Sequence, residues 1–145
     1  MMSVLIMCIG NRDNGDDGIG PYIADIFPET KGFTAVDCGV VPESFTHLSR
    51  DAERIILIDA VDMELEPGEM RIVPKHRIPT GSVSTHNIPL SMLMEYLEME
   101  GKSVILVGIQ PKKLRGELTK QVREAGKKLI NVIVENRLDE LEVLK

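Results

Sequence analysis

Three apolar runs in this chain lack the alternation of a half-exposed strand. Ser3 to Ile9 reads Ser-Val-Leu-Ile-Met-Cys-Ile and stops at Gly10. Arg54 to Ile58 ends in Ile-Ile-Leu-Ile, and Ser103 to Val107 reads Ser-Val-Ile-Leu-Val. A strand that is apolar on both faces has to be covered on both faces, the situation of a parallel sheet held between helices. The segments between these runs carry helical signals. The expected fold is therefore α/β, a three-layer αβα sandwich with a mostly parallel central sheet.

The intervening elements follow from their punctuation. A helix is expected to start near Pro21, because proline suits a first helical turn, and to end at Pro28, with Tyr22, Ile23, Ile26 and Phe27 as its apolar face. Phe33 to Val36 reads as a second strand and Pro42 to Ser49 as a weak helix carrying Phe45 and Leu48. Glu64 to Glu69 reads as a turn. Met70 to Val73 reads as a short strand at an edge, compatible with one antiparallel edge strand. Pro74 to Ser84 is broken by Pro74, Pro79 and Gly81. Ile88 to Met99 has Pro89 in its first turn, a stripe of Leu90, Leu93, Met94 and Leu97, and a stop at Gly101. Glu117 to Asn136 closes the chain as a long helix with Leu118, Val122, Ala125, Leu129 and Val132 at the 3.6-residue period. Leu138 to Lys145 is expected to fray.

At 145 residues, the chain is expected to form one domain over 1–145. No stretch approaches the roughly 18 apolar residues of a membrane span. Met1 to Ile9 has no basic region of the kind that opens a signal peptide, so the expected location is cytoplasmic. A net charge of -6 argues against non-specific nucleic-acid binding, and aromatic content of 3% leaves no stacking platform for single strands. Cys8 and Cys38 form no Cys-x-x-Cys pair. Cys8 reads as a small buried hydrophobe. Cys38 lies nearer the suspected site, with a structural role still the favoured reading.

In a parallel sheet, residues at the carboxyl ends of strands gather along one edge, where such folds bind ligands. Asp17, in the loop after the first run, Asp59, closing the run at Ile58, and His86, in Ser84-Thr85-His86-Asn87, can meet there. Two carboxylates and an imidazole suit a divalent transition metal. Asp59 closes the most apolar strand, so its carboxylate needs a partner. Asp62 can hold the loop that follows by hydrogen bonds. Asp13, Asn14 and Asp16 read first as turn and cap residues. His47 and His76 lack comparable placement.

Rival chemistries fail on detail. The loop from Gly10 to Pro21 is glycine-rich, but its glycines miss the dinucleotide spacing, and no Walker run is present. Asp13, Asp16 and Asp17 would repel a phosphate at the helix N-terminus. As a calcium loop starting at Asp13 it would place Gly15 at position 3 and Ala24 at position 12, where a bidentate Glu is needed. Gly-x-Ser-x-Gly and His-Glu-x-x-His are absent. A Cys38–His86 protease has no supporting motif.

Four ordered blocks between Val4 and Pro111 resemble the [NiFe] hydrogenase maturation proteases. These are Gly10-Asn11-x-x-x-x-Asp16-Asp17-Gly18-x-Gly20-Pro21, then Asp59-Ala60-Val61-Asp62-Met63 with Glu66-Pro67-Gly68-Glu69, then Thr85-His86-Asn87-Ile88-Pro89-Leu90, and Gly108-Ile109-Gln110-Pro111. The resemblance implies an endopeptidase that trims the C-terminal extension of a hydrogenase large-subunit precursor after nickel insertion. It carries the metal-contacting positions onto Asp17, Asp59 and His86, the three that strand-end reasoning selects. The chain departs from the usual pattern after Pro111, where a short basic segment, Lys112-Lys113-x-Arg115, stands in place of a longer loop.

The expected mechanism has Asp17, Asp59 and His86 completing the coordination of a nickel ion that the precursor brings with it; other divalent metals can substitute. A water then attacks the scissile peptide, activated either by the metal or by an aspartate acting as general base. Asp17 and Asp59 are the candidate catalytic carboxylates, with Asp16 and Asp62 in reserve. Two rivals stand beside this reading: a non-proteolytic nickel-binding maturation chaperone for the same precursor, and a flavodoxin-like small-molecule enzyme using the aspartates on a cationic substrate.

Overall fold

A computed structural model describes residues 3–78 and 88–145. The three apolar runs form the middle of a five-stranded sheet. In chain order the strands are β1 (Val4–Ile9), β2 (Phe33–Gly39), β3 (Arg54–Ala60), β4 (Met70–Ile72) and β5 (Ser103–Ile109), and in space the order is β2-β1-β3-β5-β4. All pairings are parallel except β4 against β5, where Met70 faces Ile109 and Ile72 faces Val107. The mostly parallel sheet with one antiparallel edge strand is the architecture expected from the sequence.

Alternation along the strands sorts the core into two sides. Val4, Ile6, Cys8, Ile56, Ile58, Val107 and Ile109 pack with α1 (Ile19–Ile26) and α3 (Lys120–Val134), through Ile19, Ile23, Val122, Leu129 and Ile133. Leu5, Met7, Ile55, Leu57, Val104 and Leu106 pack with α2 (Leu90–Met99), through Leu90, Leu93, Met94 and Leu97. This gives the three layers. No helix among the described residues is long and apolar enough to cross a membrane.

Several boundaries differ from the sequence reading. Helix α1 begins at Ile19, so Pro21 is its third residue. The first turn's N–H groups have no intrahelical acceptor, so a proline there costs no bond. Pro89 caps α2 instead of entering it, with ψ at 142°. Strand β2 continues to Gly39, where a bulge sets Ile9 opposite Gly39 and leaves Cys38 as the extra residue. Pro42–Asp51 is a 3-10 segment, not an α-helix. Helix α3 starts later than Glu117 because the residues before it belong to a pinned loop, and Asn136, at φ 57°, follows its end.

The C-terminal segment does not fray. Leu138 is buried, the Ile72 N–H donates to the Glu142 carbonyl at 2.9 Å, and the Leu144 N–H donates to the Ile72 carbonyl at 2.9 Å. The tail thus lies along the outer edge of β4 and covers it, which removes an open strand edge.

Candidate active site

The strand order dictates where a ligand can sit. From β1 the chain crosses one face through α1 to β2. From β2 it returns across the opposite face, through the 3-10 segment bearing Phe45, to β3 on the other side of β1. The connections after β1 and β3 therefore diverge and leave a crevice beyond the carboxyl ends of these neighbouring strands, the switch point at which open α/β sheets bind ligands. Asp17 follows β1, and Asp59 is the last residue but one of β3. Both are fully buried, at 0% exposure.

Asp17 stands in a short 3-10 turn, Gly15–Gly18, that packs against β3. Its Oδ2 accepts the Asn11 N–H at 3.0 Å, and its own N–H donates to the Asn14 carbonyl at 3.1 Å. Gly20 sets how close the loop and helix come to the sheet. A Cβ at Gly20 would fall 2.6 Å from the Ile9 nitrogen and would collide with the Ile9 carbonyl oxygen. Only glycine allows α1 to start directly on the end of β1. Asp59 shares the side of β3 that bears Ile55 and Leu57, the α2 side, and pairs in register with Gly108. Val61, Met63 and Val73 fill the space over Gly108, within 3.0 to 3.2 Å of where a Cβ would be.

Asp16 is not a spare carboxylate. It is fully buried, and both oxygens are engaged. Oδ2 accepts the N–H groups of Lys112 at 2.8 Å and Lys113 at 3.2 Å, and Oδ1 accepts the Thr119 N–H at 2.7 Å. The Thr119 hydroxyl lies within 2.9 Å of both oxygens. Asp16 thus ties the loop after β1 to the loop before α3. Nothing local to the sequence signals this, because its partners are about a hundred residues away.

Asp62 is exposed, and its Oδ1 accepts the Glu64 N–H at 3.1 Å, which holds Glu64 at φ 59°. That is the loop-holding role expected of it. The larger share of this work belongs to Gln110, whose part in the shared Gly-Ile-Gln-Pro stretch the sequence did not explain. Its Oε1 accepts from Met63 N–H at 2.7 Å and Leu65 N–H at 3.2 Å, and its Nε2 donates to Asp62 Oδ1 at 3.2 Å. The loop after Asp59 is therefore clamped from β5.

His86 lies outside the described residues, as do Ser84, Thr85 and Asn87. Of the three predicted ligands, Asp17 and Asp59 both stand buried at the carboxyl ends of the neighbouring strands β1 and β3. Among the described residues no three His, Cys, Asp or Glu side chains converge as a metal site. His47 lines a cavity of about 530 Å³ with Arg50 and Lys102, at the amino ends of β3 and β5 and so away from the crevice. His76 borders a cavity of about 360 Å³ with Asp62, Met63 and Glu64, on the loop that follows Asp59, a neighbourhood the sequence did not suggest.

The cysteines are both buried free thiols. Burial pushes the Cys38 thiol up to about 12, and burial with nearby Cys38 and Asp37 raises Cys8 further. Neither is a thiolate nucleophile near neutral pH, which disfavours the Cys38–His86 protease. On the rim, Arg12 spans α1 and β2, donating to Asp25 at 2.6 and 2.9 Å and to Asp37 at 2.7 Å.

The same architecture recurs in known proteins. The sequence model of the HycI hydrogenase maturation proteases matches residues 22–136. The hydrogenase 3 maturation protease of Escherichia coli is 37% identical over 115 residues, covering 76% of this chain and 74% of its own. The solution structure of the endopeptidase HycI from Escherichia coli superposes with a TM-score of 0.87 at 28% identity, covering 99% of this chain and 97% of that one. The crystal structure of a [NiFe] hydrogenase maturation protease HycI from Thermococcus kodakarensis KOD1 gives 0.79 at 27% identity, over 95% and 93%. Fold and sequence likeness agree, and this chain belongs to the hydrogenase maturation protease family.

Proposed function

We propose that this chain removes the C-terminal extension of a [NiFe] hydrogenase large-subunit precursor after nickel insertion, and that it reads the nickel the precursor carries. The observation that carries the reading is the pair of fully buried carboxylates, Asp17 and Asp59, at the β1/β3 switch point of a chain of this family. Buried carboxylates in a ligand crevice suit a cation, and oxygen donors joined by the imidazole of His86 form a mixed set suited to Ni(II). The metal arrives with the substrate, so the protein needs only an incomplete site of its own.

When bound, the ion supplies Lewis acidity at the precursor's cluster. The chain's residues have their own tasks. Asn11 orients Asp17 by its N–H, and the sheet fixes Asp59 in place. Gln110 holds the loop from Val61 to Leu65 that directly follows Asp59 and β3. Hydrolysis adds water to the scissile carbonyl carbon, breaks the C–N bond and delivers a proton to the leaving amine. Asp17 and Asp59 are the carboxylates positioned to take the proton from the water.

The test is mass spectrometry of a large-subunit precursor incubated with this protein, with and without nickel loaded. Loss of a C-terminal peptide from the loaded precursor alone is the expected result, and His86→Ala abolishes it. Cleavage regardless of nickel refutes the metal-guided reading. A stable complex with the loaded precursor that never yields a peptide refutes hydrolysis in favour of a chaperone role.

A further inference from the structure

The loop between β5 and α3 is basic, exposed and rigidly mounted on the turn that bears Asp17. Lys112, Lys113 and Arg115 are exposed, and Leu114 between them keeps 37% of its surface in solvent. None of the ion pairs among the described residues uses these three cations, although Arg12, Arg71, Lys75, Lys127 and Arg137 are all paired. In a chain of net charge -6 they form a local positive patch.

The loop's backbone is fixed from below. Asp16 accepts the N–H groups of Lys112 and Lys113, and the Asp16 N–H donates back to the Lys113 carbonyl at 2.9 Å. Gly15, at φ 57°, lies so close that a Cβ there would stand 2.5 Å from the Arg115 nitrogen and 2.7 Å from the Lys113 carbonyl oxygen. Capping α3 through Thr119 accounts for part of this pinning. It does not account for the three cations, which have no ion-pair partner among the described residues: Lys112 and Lys113 are each one hydrogen bond from Asp16, the residue preceding Asp17, and the Arg115 backbone lies against Gly15. A preformed charged loop loses little conformational freedom on binding.

We infer that Lys112, Lys113 and Arg115 dock an acidic segment of the precursor beside its scissile peptide, with Leu114 contacting an apolar residue within that segment. This rests on the endopeptidase reading above. Such rim charges steer encounter and set which partner binds, with an effect that weakens as salt rises.

The experiment measures kcat and KM for nickel-loaded large-subunit precursor from the same organism. It compares wild type with Lys112→Glu/Lys113→Glu/Arg115→Glu and with a charge-matched control, Lys31→Glu/Arg50→Glu/Lys128→Glu, whose residues are all exposed and stand before the amino ends of β2 and β3 or midway along α3. The expected result is a KM raised about tenfold or more by the loop variant at low salt, with kcat little changed and the control close to wild type. Between about 0.01 M and 0.15 M ionic strength, as the screening length shrinks from roughly 30 Å to 8 Å, the wild-type KM rises and the difference narrows. Lys112→Gln/Lys113→Gln/Arg115→Gln gives a smaller shift in the same direction, which separates lost attraction from misfolding. Changing acidic residues of the precursor's extension to lysine restores a low KM to the Glu variant.

Equal KM shifts in loop and control variants overturn the inference and leave the endopeptidase reading intact. Nickel-independent cleavage overturns the metal-guided reading, while the loop is still read from KM. Should wild type bind the precursor without cutting it, Kd replaces KM: weaker binding by the loop variant alone supports the docking role, and equal binding by loop and control variants overturns it.

Discussion

Asp16→Ala removes a buried acceptor that serves three backbone N–H groups in part-buried hydrogen bonds, those of Lys112, Lys113 and Thr119, and the partner of the Thr119 hydroxyl. Leaving a buried donor unsatisfied costs roughly 1–3 kcal/mol, and bonds to a charged acceptor lie at the upper end of hydrogen-bond contributions. Water can enter beside an exposed loop, so the lower end applies to each donor, and the expected loss is about 3–4 kcal/mol. For a chain of this size that corresponds to a fall of about 10 °C in Tm. Asp16→Asn recovers only part of the loss, because whichever way the amide is turned its NH2 group meets an N–H donor. Equilibrium urea unfolding reads the effect as a lower midpoint with an unchanged m-value. Native-state amide exchange adds the location: Lys112, Lys113 and Thr119 lose protection while Leu106 and Val107 in β5 keep theirs relative to the global stability. A loss below about 1 kcal/mol would refute the assignment of Asp16 as a tie between the two loops.

Further expectations concern the glycine contact, the rim ion pairs and the thiols. Gly20→Ala drives a methyl into the Ile9 backbone and yields little folded protein, whereas Gly101→Ala, in open space at φ 84°, costs about 1–2 kcal/mol; circular dichroism melts of the two distinguish a collision from simple strain. Arg12→Met costs no more than about 1 kcal/mol at pH 7, since Arg12 and Asp25 are each 51% exposed, and the cost shrinks in high salt. The guanidinium of Arg12 holds the Asp25 carboxyl below its ordinary range, so the pair's contribution is complete above about pH 4 and is lost as the pH falls through the lower folded value. A pH series of urea midpoints for wild type and variant converges on the acid side if this is right. Cys8 and Cys38 resist iodoacetamide at about pH 8 in the folded protein and react together in urea, as follows from their burial and raised thiol pKa; mass spectrometry that found one adduct on the native chain would contradict it.

How much could be read in advance depended on whether a residue's partner is local. The strands β1, β3 and β5 were legible because an unbroken apolar run bounded by glycine or aspartate has few other homes. Asp17 and Asp59 were legible because position at a strand end is enough to place a residue on the ligand-binding edge of a parallel sheet. Asp16 was not. It is adjacent to Asp17 and of the same type, yet the Asp17 carboxylate bonds within its own turn to Asn11, and that of Asp16 is consumed by backbone groups of a loop near residue 112. A turn residue's orientation is set by tertiary partners that no local pattern records. Gln110 escaped notice for the same reason, and the docked tail did too: Glu142 and Leu144 look like a fraying end until β4 offers them its outer edge.

Asp16 and Gln110 also explain why the family's blocks are longer than a ligand set requires. In the first block, Gly20 brings the helix onto the end of β1, and Asp16 anchors the turn on which Asp17 rides. In the second and fourth, Asp62 and Gln110 hold each other and the loop beyond Asp59. Residues suited to chemistry thus travel with residues that fix where they stand. On the function proposed above, the metal arrives with the substrate, so it cannot organise the site beforehand. The positions of the carboxylates have to be set by the protein alone, and the buried hydrogen bonds of Asp16 and Gln110 supply that order before any ligand arrives. Such positioning residues draw on stability for rigidity at the crevice, so variants that loosen them should reach the chemistry through geometry, with wild-type side chains still present at Asp17 and Asp59.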